Sequence, residues 1–261
     1  MSRLAQPWLP WLAGLAGLFL GSFLNVLARS LAGGPSPWLR RSACPHCGQR
    51  LAWGDMLPVI SFFFLRGRCR YCRHRLSPLY PLGEAACGLL AGLSLARYGP
   101  GPAGWACLAF CLVLLLISLV DIQAGIVPDV VVLPAAAAAL AAAPWLPGPG
   151  LLDSLVGGLA LAGSLWAVAL IYRGLRGREG LGLGDVKLGG LLGAYLGFGG
   201  AGLALTLAAV GGLVFYLGLW AAGRVDWRQP LPFAPFMGLG GVVVALAGSF
   251  PLDWLMGVSG A

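Results

Sequence analysis

The chain has 261 residues, of which 59% are hydrophobic and 10% are charged, and its mean hydropathy is +0.85. This composition excludes an ordinary soluble domain and indicates an all-α polytopic membrane protein. The formal net charge of +8 is concentrated, since nine arginines fall between Arg29 and Arg75. Such a cluster is typical of a cytoplasmic loop that follows the positive-inside rule, and we prefer that interpretation to nucleic-acid binding.

Apolar segments recur along the chain and predict about eight transmembrane helices. They lie at residues 8–26, 80–95, 105–120, 126–143, 151–172, 188–198, 201–222 and 233–256. The first segment follows Arg3 in the manner of a secretory signal, but it is too long for one and no small-x-small cleavage site follows, so we predict a retained helix. Segment 188–198 is short for a helix that needs about 20 residues to cross the hydrocarbon, so a tilted, half-buried or re-entrant segment stays open.

Composition divides the chain into a first helix (1–28), a soluble module (29–79) and a helical bundle (80–261). The module contains two C-x-x-C pairs separated by 21 residues, formed by Cys44, Cys47, Cys69 and Cys72. Four thiolates in this spacing suit a closed tetrahedral zinc site, which would supply folding free energy to a module with little core. A disulfide interpretation is weaker, because the arginines place the loop in the reducing cytoplasm.

The remaining histidines and cysteines have simpler explanations. His46 and His74 flank the cysteine pairs and are expected to be exposed neighbours of the zinc site and not ligands. Cys87, Cys107 and Cys111 lie in apolar segments, where a free cysteine behaves as a small core hydrophobe.

The distribution of basic residues predicts the topology. If the N-terminus is outside, the loops at residues 29–75, 121–125, 173–187 and 223–228 all lie inside, and they hold 15 of the 17 basic residues. Asp121, after the segment at 105–120, and Asp185, before the segment at 188–198, then lie at the same cytoplasmic face.

These two aspartates are the candidate catalytic residues. A carboxylate beside an apolar segment is costly and is a functional-site hypothesis by default. Two carboxylates brought together can share one proton, so that one acts as a base and the other as an acid at the same pH. Gly180, Gly182 and Gly184 precede Asp185, and we interpret them as allowing close approach of a substrate to the backbone.

Other polar residues near the apolar segments have competing explanations. Asn25 either hydrogen-bonds another helix or belongs to the substrate site. Asp129, after Pro128, is expected to cap a helix, and Asp153 is expected to have a structural role remote from the site.

The ordered motifs resemble those of the prepilin peptidases, bifunctional membrane enzymes of type IV pilus and type II secretion systems. The match covers nearly the whole chain and consists of Gly-Ser-Phe-Leu-Asn-Val at 21–26, the two cysteine pairs, Ser-Pro-Leu-Tyr-Pro at 77–81 with Glu84, Asp121 followed by Pro128 and Asp129, residues 179–187 around Asp185, and Pro-Phe-Ala-Pro-Phe at 232–236. Gln123 stands where many relatives have an acidic residue, and Gly83 replaces a common valine.

The resemblance implies that Asp121 and Asp185 are the catalytic pair, in an enzyme of the inner membrane that acts on prepilins or pseudopilins. It also implies cleavage after a glycine in a short basic leader, followed by methylation of the new N-terminus from S-adenosylmethionine. The four cysteines favour the bifunctional form. Glu84 and Asp55 are the carboxylates expected to bind the methyl donor, and pairing with nearby arginines is the alternative.

Two other classes of function are compatible with some of these residues. A transporter would use Asp121 and Asp185 to relay protons or bind a cation, but both are expected at one face and no internal repeat is visible. A zinc-bearing scaffold would leave the glycine-rich approach to Asp185 without a packing purpose. A serine or cysteine nucleophile is disfavoured because His46 and His74 flank the cysteine pairs, and the glycine spacing at 180–184 is not that of a dinucleotide site.

Overall fold

The computed structural model describes residues 7–34, 44, 46–50, 52–146, 148–177, 180–225 and 232–248. Two parts of the motifs and segments above, Glu179 and residues 249–256, lie outside these ranges. Within them the chain is helical and forms no strand, although a β-bridge pairs Arg68 with Arg75.

Eight α-helices occur in the described ranges. They are α1 (Leu9–Leu31), α2 (Ile60–Phe64), α3 (Leu79–Tyr98), α4 (Pro102–Ala124), α5 (Asp129–Ala142), α6 (Leu151–Arg176), α7 (Leu183–Ala221) and α8 (Ala234–Ala247), and a 3-10 turn covers Trp53–Met56. Five of them, α1, α3, α4, α6 and α7, are long and apolar enough to cross a membrane, whereas α5 and α8 have only 14 residues each. The all-helical prediction is confirmed for the described residues, and the five long apolar helices are consistent with a polytopic membrane protein. The number of spans stays a prediction.

The helices form two compact units, Met1–Ala124 and Gly125–Ala261. The first contains α1 to α4, so the first helix and the soluble module group with α3 and α4; the division at residues 28 and 79 is one of composition. In this unit α1 packs mainly on α3 through glycines. A Cβ atom on Gly17 would lie 2.8 Å from the Cβ of Ala91, and one on Gly21 would lie 2.7 Å from the Cα of Glu84. Close packing therefore explains part of the high glycine content.

In the second unit α7 packs on α6, α8 and α5. The contact with α6 is again a glycine contact, because a Cβ on Gly193 would overlap the backbone of Gly157. Leu188, Leu191 and Leu192 from the first half of α7 are fully buried in this unit.

Segments 188–198 and 201–222, predicted as separate helices, lie within the 39 residues of α7, which consists of two helical stretches separated by a break. The helix is interrupted at Gly197, where φ is 71° and ψ is −179°, and a residue with a side chain would overlap the carboxylate of Asp153. Asp153 accepts a hydrogen bond at 3.1 Å from the backbone N–H of Phe198, which the interruption has deprived of its helical partner. The Asp153 side chain from α6 therefore stabilises the break in α7. This contact is the structural role expected for Asp153.

Candidate active site

Asp121 lies in the last turn of α4, which continues to Ala124 and does not end at the aspartate as predicted. The helix continues because Ile122, Gln123 and Ala124 are compatible with helical backbone, and the side-chain amide of Gln123 donates to the carbonyl of Leu119 at 2.9 Å. The Asp121 side chain is buried, with 8% of the residue exposed. A carboxyl group at this level of burial requires hydrogen-bond or charged partners.

Asp185 lies in the first turn of α7, as predicted, and is half-buried. Its backbone N–H donates to the carbonyl of Gly182 at 3.1 Å, which closes the turn that starts the helix. The free N–H groups of a helix N-terminus favour a negative charge at this position. Asp185 therefore lies at the N-terminal end of the helix and is partly accessible.

The glycines before Asp185 have packing roles that were not expected from the sequence. A Cβ on Gly184 would lie 2.9 Å from the Cβ and Cγ2 atoms of Val127, and one on Gly180 would overlap the ring of Tyr172. Of these three glycines, only Gly182 could carry a Cβ without a steric conflict, since the nearest atom to its Cβ position is an Asp185 oxygen at 3.7 Å. Close approach of a substrate is therefore not needed to explain Gly180 and Gly184.

Asp129 begins α5 and forms an ion pair with Lys187, two residues after Asp185. The Lys187 ammonium donates to both Asp129 oxygens, at 2.7 and 2.9 Å. The Lys187 side chain is 36% exposed and the Asp129 side chain is 55% exposed, so the ion pair contributes little stability. The sequence did not predict the ion pair between Lys187 and Asp129, although Lys187 lies only one turn after the start of α7.

Asp129→Asn and Asp153→Asn are expected to retain the activity that the resemblance implies, leader cleavage, within about fivefold of wild type. The first loses a solvent-screened ion pair worth at most about 1 kcal/mol, and the second keeps an oxygen that accepts the Phe198 N–H. Initial rates with a prepilin in detergent measure both. If Asp129→Asn were as inactive as Asp121→Asn, Asp129 would replace one of the two proposed catalytic residues.

The four predicted zinc ligands are brought together. The sulfur atoms of Cys44, Cys47, Cys69 and Cys72 all lie within 4.8 Å of one another, and those of Cys44 and Cys72 are 3.9 Å apart. No disulfide joins them, and Cys44 and Cys69 are buried. Four sulfurs at these separations fit a tetrahedral ion with Zn–S bonds of about 2.3 Å.

The two cysteine pairs have the same backbone structure. Cys44 donates its N–H to the carbonyl of Gln49 and accepts from Gly48, and Cys69 donates to His74 and accepts from Arg73, all at 2.9–3.0 Å. The fourth residue after each leading cysteine, Gly48 or Arg73, has positive φ, at 69° and 58°. The sequence therefore forms two equivalent turns that present their sulfurs to one point.

Hydrogen bonds favour a thiolate at Cys44. Burial opposes ionisation of Cys44, but hydrogen bonds from the backbone of Cys47 and His46 and from neighbouring thiols lower the pKa of Cys44 to about 7. His46 and His74 are exposed and stack on each other, with ring centroids 4.1 Å apart. Neither imidazole belongs to the group of metal-ligating atoms found among the described residues.

Glu84 belongs to a polar cluster between α1 and α3. Its carboxylate accepts the backbone N–H of Val59 at 2.7 Å and the hydroxyl of Ser22. One turn before Glu84 in α3, the backbone carbonyl of Tyr80 accepts a hydrogen bond at 2.9 Å from the side-chain amide of Asn25 in α1. Asn25 therefore makes the interhelical hydrogen bond that was one of its two explanations. The sequence does not predict the contact of Glu84 with Val59, because the two residues are 25 positions apart and meet only in the folded structure.

Asp55 is engaged within the module. Its carboxylate accepts the Arg70 Nε–H at 2.7 Å and the Ala52 backbone N–H at 3.2 Å, and its side chain is 2% exposed. This is the arginine pairing that was the alternative to a role in methyl-donor binding. The first unit thus holds the cysteine cluster and, with separate partners, Glu84, Asp55 and Asp121. The second unit holds Asp185.

Two family profiles and several named proteins are similar to this chain in sequence. The profile described as bacterial peptidase A24 N-terminal domain matches residues 15–98, and that of the type IV leader peptidase family matches residues 108–217. A protein of Burkholderia pseudomallei strain 1026b named prepilin leader peptidase/N-methyltransferase is 37% identical, with 92% of this chain and 86% of the relative covered. No solved structure matches.

Two further relatives carry the same name. The one from Pseudomonas putida is 33% identical, with 89% of this chain and 88% of the relative covered. The one from Klebsiella pneumoniae is 38% identical, with 74% of this chain and 88% of the relative covered. In these three comparisons the similarity covers 74–92% of this chain and 86–88% of each relative.

Proposed function

The chain belongs to the type IV leader peptidase family, and on that premise we propose that it removes the leader peptide from prepilins and N-methylates the residue that cleavage exposes. The observation that carries this proposal is similarity to enzymes of that double name over most of both chains. The same similarity disfavours a transporter or a catalytically inert scaffold. Pilins and secretion pseudopilins are both substrates of the chemical class expected, since each presents a basic leader before an apolar helix.

We propose Asp121 and Asp185 as the catalytic pair. An ionised carboxylate takes a proton from a water molecule, which attacks the scissile carbonyl directly, while a protonated carboxylic acid donates a proton to the carbonyl oxygen. Asp121 is buried in the last turn of α4 and Asp185 is half-buried in the first turn of α7, so each offers a carboxyl group for one of these two roles. No covalent intermediate is required.

We propose that the chain crosses the bacterial inner membrane several times, with the module and both aspartates facing the cytoplasm. The apolar helices and the bacterial relatives support the membrane location. The arginines of the module, together with Arg173 and Arg176 at the end of α6, support the orientation through the positive-inside rule. The leader of a prepilin would then be cut where its basic segment meets the bilayer.

We propose a structural zinc ion at the four cysteines and S-adenosylmethionine as methyl donor. The sulfur cluster fits zinc in number and spacing. Glu84 and Asp55 are proposed to hold the donor through its amino or hydroxyl groups. A carboxylate offers about four acceptor positions, so the contacts of Glu84 with Val59 and Ser22 leave it capacity for a ligand. Bound S-adenosylmethionine supplies an electrophilic methyl group to the amine.

The direct test is incubation of the purified full-length protein with a prepilin, followed by mass spectrometry before and after addition of S-adenosylmethionine. We expect loss of the leader mass first and then a gain of one methyl group on the new N-terminal residue. Absence of leader release by the correctly folded protein, or release without any later methylation, would contradict the corresponding half of the proposal.

Methylation and cleavage are expected to be separable. Glu84→Gln loses the negative charge that would hold an amino group, so we expect at least about tenfold slower methylation of pre-cleaved pilin, with cleavage largely kept. Labelled donor and peptide release measure the two activities independently. Asp55→Asn is the companion variant, and because its carboxylate already pairs with Arg70, zinc content serves as its control for module integrity. Parallel loss of both activities would indicate a shared site.

A further inference from the structure

The module carries apolar side chains on its own surface. We call residues 57–64 the aromatic element; it contains α2 and the turn before it. Phe63 is 72% exposed and Phe64 is 85% exposed, and Leu57 and Ile60 are exposed beside them. Several exposed apolar side chains in one short segment outside the spanning helices indicate an interaction site.

The aromatic element lies beside a spanning helix and not at the outer edge of the module. The Val59 N–H is bound by Glu84, five residues after the start of α3, which corresponds to about 7.5 Å along the helix axis. Near the start of α3, Arg29 from the end of α1 donates to the Tyr80 hydroxyl at 3.3 Å. Arginine and tyrosine are typical of the membrane–water interface. Val59 is therefore held farther along α3 than this interface pair.

The backbone of the aromatic element is fixed in a costly conformation. Val59 has a φ of 61°, which is rare for a β-branched residue, and Pro58 before it is buried. Such a conformation persists only where surrounding contacts maintain it, and the Glu84 hydrogen bond is one of them. Phe63 and Phe64 are consequently presented by an anchored turn.

A basic segment follows the aromatic element directly. Residues 66–75 contain five arginines and no acidic residue. Arg66, Arg68, Arg73 and Arg75 are exposed, whereas Arg70 pairs with Asp55. Aromatic side chains next to exposed arginines are complementary to a surface that is apolar inside and anionic outside, as a bilayer with acidic phospholipids is.

We propose that the aromatic element inserts into the interface of the bilayer that the protein itself spans, with the neighbouring arginines bound to anionic phospholipid headgroups. Phe63 and Phe64 contact acyl chains near the headgroups. This lipid contact holds the module, and the Val59 turn bound to Glu84, against the membrane surface where a prepilin junction is presented. The proposal depends on neither the catalytic assignment nor the methyl-donor assignment.

Photocrosslinking of the full-length protein in lipid nanodiscs tests this proposal. Phe64 is replaced by photoreactive p-benzoylphenylalanine, and Tyr71 is replaced in the same way as a matched control, because it is an aromatic residue of the module that is 47% exposed. The nanodiscs contain phosphatidylcholine alone or mixed with phosphatidylglycerol. Intact mass spectrometry after illumination identifies the adduct, and prepilin cleavage verifies the fold of each variant.

We expect phospholipid adducts at position 64 in at least about fivefold higher yield than at position 71, with a higher yield when phosphatidylglycerol is present. Arg66→Gln with Arg68→Gln is expected to remove the phosphatidylglycerol dependence. Equal lipid adducts at the two positions, or adducts at position 64 to a second copy of the chain or to added pilin in place of lipid, would overturn the insertion. Equal yields in both lipid compositions would overturn the role assigned to the arginines.

Discussion

Asp121→Asn and Asp185→Asn are each expected to reduce leader cleavage to less than about a hundredth of the wild-type rate, because an amide neither accepts a proton from water nor shares one with a second carboxylate. Asparagine has nearly the same shape as aspartate, so helix packing around both positions is preserved. Initial rates of prepilin cleavage in detergent, with equal amounts of membrane-inserted protein, measure the effect.

Asp153→Asn is the matched control for this pair, since it makes the same chemical change at an aspartate engaged in capping the break in α7. Its expected near-normal rate separates loss of a catalytic carboxylate from general effects of neutralising an aspartate in the membrane region. Cleavage above a hundredth of wild type by Asp121→Asn or Asp185→Asn would remove that residue from the catalytic pair.

A single zinc ion per chain is the second large expectation, and Cys44→Ser combined with Cys69→Ser is expected to abolish its binding. The serines remove one ligand from each of the two equivalent turns, and structural zinc contributes about 10 kcal/mol or more to the folding of small domains. Elemental analysis of the purified protein gives the zinc content, and limited proteolysis reports local unfolding of the module.

Cys87→Ser and Cys107→Ser provide the control, because both cysteines are buried in the spanning helices and are absent from the sulfur cluster. We expect normal zinc content from each. In the double variant of Cys44 and Cys69, the spanning helices are expected to remain inserted. A wild-type protein without zinc, or disulfides between these sulfurs in solution, would refute the zinc site.

Several features of the fold follow from composition and local chemistry. The apolar segments predicted the helices because a backbone in lipid has to satisfy its own hydrogen bonds. The paired cysteines predicted a cluster because their spacing suits one tetrahedral centre, and Asp185 was correctly expected at the start of a helix.

The remaining features depend on contacts between residues far apart in the sequence. Gly197, Gly199 and Gly200 all permit a break, and only the position of Asp153 selects the first of them. Likewise, Gly184 was interpreted through its neighbour Asp185, although Val127 determines the space around it. The local sequence determines which backbone conformations are possible, and contacts with distant residues determine which of them forms.

The cap on the break in α7 has a consequence for synthesis of the protein. A backbone N–H left free in lipid costs several kcal/mol, and here the acceptor, Asp153, lies 45 residues before the donor, Phe198. Because a ribosome makes the chain from its N-terminus, α6 emerges before the interrupted helix does. The second half of α7 can therefore form against an acceptor that is already present, so the order of translation supplies the hydrogen-bond partner of Phe198 before Phe198 itself is made.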